Sequence, residues 1–143
     1  MCWNGGRSVN AHIVPVAAVM SASPLGPDWH SAGNAGDFED EDVEQIWVGR
    51  LAVAVYKAEG QFYATQDVCT HEHAYLSDGV VVDCIVECPF HQGRFDVRSG
   101  AVVGVPAVVP LQTFPVQVVD GRVFVRVLRD EAESLSETLP QPR

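Results

Sequence analysis

The sequence is poor in basic residues. Nine lysines and arginines stand against nineteen aspartates and glutamates in 143 residues, a formal net charge of −10 at pH 7. Nucleic-acid binding draws most of its affinity from basic side chains that neutralise phosphates, so this composition excludes a nucleic-acid partner. A strongly acidic surface instead favours steered encounters with positively charged protein partners.

Long hydrophobic runs are also missing. A membrane helix needs about 20 apolar residues in succession, and charges, glycine or proline interrupt every apolar stretch of this chain. The patch at 13–20 follows Arg7 and faintly resembles a secretory signal, but it contains Pro15 and no arginine pair precedes it. We therefore expect no membrane segment, a disordered leader over residues 1–27, and a cytoplasmic protein.

A sustained helical period is absent as well. From about residue 45, short runs of Val, Ile, Phe and Tyr alternate with turn residues, which is typical of an all-β domain. The predicted strands are 45–48, then the pairs 51–56 with 61–65, 80–82 with 85–86, and 116–119 with 122–128, and two short strands within 94–103. Asp120-Gly121 is the strongest hairpin signal, and Asp83-Cys84 is a second predicted turn.

Two polar stretches flank or interrupt this pattern. Six acidic residues lie between positions 37 and 44; they predict a solvated loop, with docking to a basic partner as the alternative. Residues 130–143 are polar and contain two prolines near the end. They predict a loose tail, with one possible helical turn at 131–135.

Cysteine is scarce. Cys2, Cys69, Cys84 and Cys88 are the four cysteines, too few for a disulfide-dense scaffold in a chain with enough aliphatic residues for a core. Two of them stand close to histidines, in Cys69-Thr70-His71 and in Cys88-Pro89-Phe90-His91. Each short motif supplies one thiolate and one imidazole, and the predicted hairpin between the motifs brings the two halves together.

Two chemistries fit four such ligands: tetrahedral zinc, or a two-iron cluster with two cysteines on one iron and two histidines on the other. Zinc fingers usually separate a cysteine pair from a histidine pair that lies on a helix. The mixed motifs and the missing helix favour an iron–sulfur cluster here. A zinc-stabilised interaction domain remains the alternative from the residues alone.

The stretch from Cys69 to His91 resembles the Rieske [2Fe-2S] signature, and its surroundings resemble the Rieske-type ferredoxins of bacterial aromatic-ring-hydroxylating dioxygenase systems. The similarity covers residues 28–129. It includes the segments 62–65, 76–79, 85–87, 93–96 and 106–107. The resemblance implies an all-β Rieske fold, in which a small cluster-binding subdomain is inserted into a larger antiparallel barrel or sandwich.

The resemblance also implies a ligand set for one [2Fe-2S] cluster. Cys69 and Cys88 would bind the inner iron, His71 and His91 would bind the outer iron, and residues 104–106 would form a proline loop over the cluster. His73 and Cys84 are expected to be an exposed loop histidine and a free thiol in the hairpin turn.

High-potential Rieske proteins have an extra cysteine in each ligand loop, and serine and tyrosine hydroxyls near the cluster. The matching positions here are Ala74, Phe90, Gly93 and Phe95. We therefore expect a reduction potential toward the low end of the class range of about −150 to +300 mV.

The function implied by the resemblance is electron transfer without catalysis. A flavin-dependent ferredoxin reductase would supply one electron, and a terminal oxygenase would receive it. The chain is too short to include the oxygenase's own catalytic domain, and it has no glycine-rich nucleotide fingerprint. The alternative is a fixed Rieske small subunit of another oxidoreductase, such as a nitrite reductase.

Overall fold

The structure is a computed structural model that describes residues 24–70, 74–90, 93–104 and 109–138. Within these residues the chain forms eleven strands and one helix, which confirms the all-β class. The elements are β1 (Trp29–Asn34), β2 (Val43–Val48), β3 (Leu51–Ala58), β4 (Gln61–Gln66), β5 (Val80–Val82), β6 (Ile85–Glu87), β7 (Arg94–Asp96), β8 (Val102–Gly104), β9 (Thr113–Phe114), β10 (Val116–Val119), β11 (Arg122–Arg126) and α1 (Arg129–Thr138). Short 3₁₀ turns cover Ala35–Asp37 and Leu76–Asp78.

The strands form three antiparallel sheets. Two of them, β1-β11-β10 and β2-β3-β4-β9, make the body. The third, β5-β6-β7-β8, lies in the chain between β4 and β9, although β4 and β9 pair with each other in the body. The expected small insertion into a larger antiparallel unit is therefore confirmed.

The predicted hairpins are present, with strand ends within two residues of those expected. Both turn residues have positive φ in three hairpins: Glu59-Gly60 at 52° and 77°, Asp83-Cys84 at 53° and 67°, and Asp120-Gly121 at 51° and 77°. Such turns match the right-handed twist of the paired strands. This local chemistry explains why the hairpins are visible in the sequence.

The strand β3 is buried on both faces and joins two cores. Because successive side chains of a strand point to opposite sides, Val53 and Val55 pack in the core of the body while Ala54 and Tyr56 pack in the core of the insertion. A strand covered on both sides has an almost continuous apolar run. The insertion is thus fixed on the outer face of β3.

The helix α1 is longer than the single turn predicted at 131–135. Ala132 is buried and Leu135 half-buried against the core of the body, while the other residues of the segment are polar. Two apolar residues three positions apart give no visible period, and packing against the body supplies the stability that propensity alone does not. No helix within the described residues is both long enough and apolar enough to cross a membrane.

The acidic stretch after β1 does more than face solvent. Asp40 Oδ1 accepts a hydrogen bond from the Gly60 N–H at 3.0 Å, and Glu41 Oε2 accepts one from the Asp83 N–H at 2.8 Å. The two carboxylates cap the turns of the β3–β4 and β5–β6 hairpins. The second of these bonds ties the insertion to the body.

Candidate metal centre

Two loops of the insertion close in the same way. The Cys69 N–H donates to the Ala74 carbonyl at 2.9 Å, and the Cys88 N–H donates to the Gly93 carbonyl at 2.7 Å. Each cysteine therefore begins a loop that returns to it five residues later. In the sequence each loop contains one histidine of the predicted ligand set, His71 in the first and His91 in the second.

The structure places the two cysteines together in the buried core of the insertion. Cys69 is 0% exposed and Cys88 is 1% exposed, and both belong to the cluster that includes Leu76 and Phe95. His71 and His91 lie outside the described residues, as does His73. The complete ligand set therefore stays a prediction.

The third cysteine of the insertion has a different environment. Cys84 lies in the β5–β6 turn and is buried. Burial and a hydrogen bond with the Glu59 side chain raise the pKa of the Cys84 thiol. Because metals bind the thiolate, this environment disfavours Cys84 as a ligand. No disulfide joins Cys69, Cys84 or Cys88 within the described part of the chain.

The donors present fit a cluster with inequivalent ends. Two thiols on buried, equally closed loops would face one metal from inside. Exposure rises steeply toward the histidine in the second loop, from 1% at Cys88 to 54% at Phe90, the residue before His91. A buried thiolate end, beside a loop that has reached the surface at Phe90, fits the two-ended ligation of a Rieske [2Fe-2S] cluster.

A line of buried polar residues leads into the first loop. Thr65, Gln66 and Asp67 are each at most 2% exposed. The Gln66 side chain donates to the Val68 carbonyl and accepts from the Gln112 N–H. Thr70 Oγ1 donates to the Val109 carbonyl at 2.6 Å. The first loop is thereby fixed to the segment that follows the predicted proline loop, of which only Gly104 is described.

Asp67 holds the other side of the first loop. Its carboxylate accepts hydrogen bonds from Gln45 and Ser77. Burial raises the pKa of the Asp67 carboxyl, and the bonds from Gln45 and Ser77 act against that shift. Sequence reasoning did not find this residue. The available signal was a run of three polar residues at the end of an otherwise apolar strand.

The second loop depends on a close approach of two backbones. A Cβ at Gly79 would overlap the carbonyl oxygen of Glu87, the residue before Cys88, and would lie 3.2 Å from the Leu76 oxygen. Only glycine fits there without movement of the backbone. Gly79 therefore sets the spacing between the turn that ends the first loop and the strand that begins the second.

The neighbouring side chains divide between core and surface. Leu76 is fully buried, and Tyr75 is half-buried against the exposed Trp47 in an edge-to-face contact with ring centroids 6.2 Å apart.

Arg98 forms a salt bridge with Asp96 at the end of β7. The two side chains are 2.9 Å apart, and Arg98 lowers the pKa of the Asp96 carboxyl.

Comparison with known proteins decides the family. A family model described as Rieske [2Fe-2S] domain matches residues 28–115. The chain belongs to the Rieske [2Fe-2S] family. Among curated proteins, the anthranilate 1,2-dioxygenase ferredoxin subunit of Burkholderia cepacia is 38% identical over 100 residues, which are 70% of this chain and 93% of that protein. Ferredoxin CarAc of Metapseudomonas resinovorans is 41% identical over 98 residues, which are 68% of this chain and 92% of that protein.

Solved Rieske ferredoxins have the same fold. A chain in the complex of reduced oxygenase and oxidised ferredoxin of carbazole 1,9a-dioxygenase is 40% identical with a TM-score of 0.67, over 69% of this chain and 93% of that one. The Sphingomonas yanoikuyae B1 ferredoxin is 33% identical with a TM-score of 0.66, over 69% of this chain and 98% of its own. This Rieske protein is a ferredoxin, an electron carrier, and its cofactor is a Rieske-type [2Fe-2S] cluster.

The alternative of a fixed reductase subunit has weaker support. A nitrite reductase small subunit from Mycobacterium tuberculosis superposes with a TM-score of 0.63 at 20% identity. At that identity the likeness shows the fold alone. The anthranilate 1,2-dioxygenase relative at 38% identity and a naphthalene 1,2-dioxygenase/salicylate 5-hydroxylase relative of Ralstonia sp. at 37% identity are named as a ferredoxin subunit and a ferredoxin component, which favours the carrier.

Proposed function

We propose that this Rieske ferredoxin carries one electron from a flavin-dependent ferredoxin reductase to the terminal oxygenase of an aromatic-ring-hydroxylating system. Cys69, His71, Cys88 and His91 would hold the cluster. The observation that carries the proposal is the pair of equally closed loops, each beginning at a buried cysteine and each containing a histidine. The ferredoxin names of the relatives support the carrier role.

The bound cluster supplies a one-electron redox couple, and neutral imidazoles in place of two thiolates favour its reduction. The protein's residues keep the cysteine end dry. The second loop reaches the surface at Phe90, which would leave a short path outward from the cluster. Leu76 and Phe95, both fully buried, pack in the core that contains the two cysteines.

Two exposed apolar side chains, one in the second ligand loop and one in the segment bonded to the first, would contact a partner. Phe90 in the second loop is 54% exposed, and Val109, whose carbonyl accepts from Thr70 of the first loop, is 51% exposed. A small apolar surface of this kind suits brief docking with rapid release. The acidic net charge would steer the approach to a basic partner surface.

The solved carbazole 1,9a-dioxygenase complex contains a ferredoxin bound to its oxygenase. It supports an oxygenase as one partner of this ferredoxin. We propose the same kind of partner here. A reductase is proposed because a carrier must receive its electron from another protein.

We also propose residues 28–129 as the Rieske domain, with a leader over 1–27 and a polar tail over 130–143. We propose a cytoplasmic location, where free thiols persist.

Electron delivery tests the proposal. Dithionite-reduced holoprotein is mixed in a stopped-flow instrument with the oxidised oxygenase component of carbazole 1,9a-dioxygenase, and reoxidation is followed by visible absorbance. We expect reoxidation by one electron per cluster, with a rate that falls as salt rises. Phe90→Ser should slow it about tenfold if the contact is worth about 1.4 kcal/mol.

Val118→Ser is the matched control, because Val118 is a valine of the body sheet that is 48% exposed. It should leave the rate unchanged. Equal rates for wild type and both variants would contradict the docking surface. Holoprotein that exists only as part of a stable larger complex would contradict the carrier and favour a fixed subunit.

A further inference from the structure

We infer that Asp67 is a positioning residue for the cluster, because it fixes the first ligand loop at both of its ends. The inference rests on the proposed cluster site. Asp67 is 0% exposed and precedes Cys69 by two residues. Within the described residues it is the only Asp, Glu, Lys or Arg that is buried.

The carboxylate gathers three donors. Oδ1 accepts from the Ser77 N–H at 2.7 Å, and Oδ2 accepts from the Ser77 hydroxyl at 2.7 Å and from Gln45 Nε2 at 2.6 Å. Hydrogen bonds to a charged acceptor are about twice as strong as neutral ones. Three of them on one buried group bind it firmly to both neighbours.

The main chain of Asp67 makes the same connection. Its carbonyl accepts from the Leu76 N–H at 2.6 Å, and its N–H donates to the Ala52 carbonyl of β3 at 3.0 Å. Asp67 therefore joins the start of the loop to its end at 76–77. It also joins the loop base to β3 through Ala52 and to β2 through Gln45. Cys69 and His71 lie within the segment that this clamp closes.

The surroundings select a carboxylate and not an amide. The Gln45 side-chain oxygen accepts from the Trp47 indole N–H at 3.2 Å, which turns the Gln45 amide NH₂ toward Asp67. The Ser77 N–H is a fixed donor. An acceptor with two oxygens and no hydrogens satisfies these donors together, whereas an asparagine would set its own NH₂ against one of them.

The clamp acts on the loop and leaves the sheets intact. The pairing of β3 with β4 ends at Gln66, and the pairing of β4 with β9 ends at Thr65, so loss of the Asp67 side chain breaks no strand pairing. Local opening of a loop has its own free energy, separate from global unfolding. The expected consequence is a folded protein whose first ligand loop opens more often and releases the cluster faster.

Three variants separate positioning from general stability. Asp67→Ala removes the carboxylate, Ser77→Ala removes one of its donors but leaves the Ser77 N–H bond, and Val125→Ala makes a cavity in the body core, which contains no ligand loop. For each holoprotein we measure cluster loss to an iron chelator at a temperature where circular dichroism shows the folded state. We also measure the electron paramagnetic resonance line shape of the reduced protein and the thermal midpoint.

We expect cluster loss about tenfold faster in Asp67→Ala and a smaller increase in Ser77→Ala, with a broadened or shifted spectrum in the first. A fourth protein that combines Asp67→Ala with Ser77→Ala should lose its cluster no faster than Asp67→Ala alone, because Ser77 acts through the Asp67 carboxylate. Val125→Ala should lower the thermal midpoint and leave the rate of cluster loss and the spectrum as in wild type.

Wild-type rates and spectra in both Asp67→Ala and Ser77→Ala would overturn the inference. The inference would also be overturned if Val125→Ala lost its cluster as fast as Asp67→Ala at a similar thermal midpoint. General destabilisation of the fold would then be enough to explain the faster loss. If Asp67→Ala does not fold, Ser77→Ala decides alone. A wild-type protein without the spectrum of a mixed histidine and cysteine cluster would remove the proposed function itself, and this inference with it.

Discussion

Gly79 is the residue whose replacement should disturb the two ligand loops most directly. It follows the 3₁₀ turn that ends the first loop, and it faces the carbonyl of Glu87 at the start of the second. An added Cβ would lie 3.2 Å from the Glu87 carbonyl carbon. The C=O bond, about 1.23 Å long, points toward the Cβ. The Glu87 oxygen would therefore lie roughly 1 Å closer to the Cβ than a real contact allows. Gly79→Ala must therefore push β5 and β6 apart by about that distance.

The loss of stability depends on which atoms must move. The overlapping atom is a backbone oxygen and not the flexible end of a side chain, so the strands themselves must shift. Overpacking of this kind costs about 1–3 kcal/mol. Opening the Val80–Glu87 end of a three-residue strand pairing adds about 0.5–1.5 kcal/mol for a lost hydrogen bond. We expect Gly79→Ala to lower the free energy of unfolding by about 2–4 kcal/mol and to reduce cluster content, because Cys88 follows Glu87.

Urea unfolding of the holoprotein, with cluster content followed in the same samples, measures this effect. Two other glycines supply graded controls. Gly36 has nothing within 4 Å of an added Cβ, so Gly36→Ala should change stability by less than about 0.5 kcal/mol. The atoms nearest to an added Cβ at Gly104 belong to the flexible Arg94 side chain, at 3.0 Å, which can move aside, so the loss of stability in Gly104→Ala should fall between those of the other two variants. A Gly79→Ala protein as stable as Gly36→Ala would refute the close approach.

Three further predictions concern the ligands and a surface pair. His71→Cys or His91→Cys should lower the reduction potential or lose the cluster, because added thiolate charge disfavours reduction; a redox titration with an unchanged potential in both would contradict the ligand set. Cys84→Ser should leave the visible spectrum and potential nearly unaltered, and cluster loss in this variant would mean that the wrong cysteines were assigned. Arg98 lowers the pKa of Asp96, so this pair stabilises the fold above the ordinary carboxyl pKa and the contribution is lost as pH falls through the lowered value. The unfolding free energies of wild type and Asp96→Asn should therefore converge in acid, and a difference that stays constant with pH would count against the pair.

The hairpins were predictable because their information is local. Turn residues such as Asp120-Gly121 and Glu59-Gly60 favour positive φ, and the apolar runs beside them fix the strands within a few residues. The two Cys/His motifs were predictable for the same reason, since each lies in one short segment. The match of the structure to Rieske ferredoxins confirms the fold and the cluster class.

The contacts that hold the site were not predictable, because they join distant positions. Asp67 meets Gln45 across 22 residues, and Asp83 meets Glu41 across 42. The local pattern does not reveal these partners, although the three polar residues at the end of β4 mark the position of Asp67 itself. Only one turn of the helix α1 was predicted, at 131–135, for a related reason: the helix is stabilised by the body core, which the segment's own composition does not reveal.

The central claim is that two cysteines and two histidines of this chain hold a [2Fe-2S] cluster. Electron paramagnetic resonance of the dithionite-reduced protein, prepared anaerobically with iron supplied, tests it most directly. The account predicts a rhombic signal whose average g value is lower than that of an all-cysteine cluster, with a midpoint potential toward the low end of the range from about −150 to +300 mV. A colourless protein that binds stoichiometric zinc and contains no sulfide would contradict the claim. A midpoint potential above about +100 mV would contradict the predicted low potential.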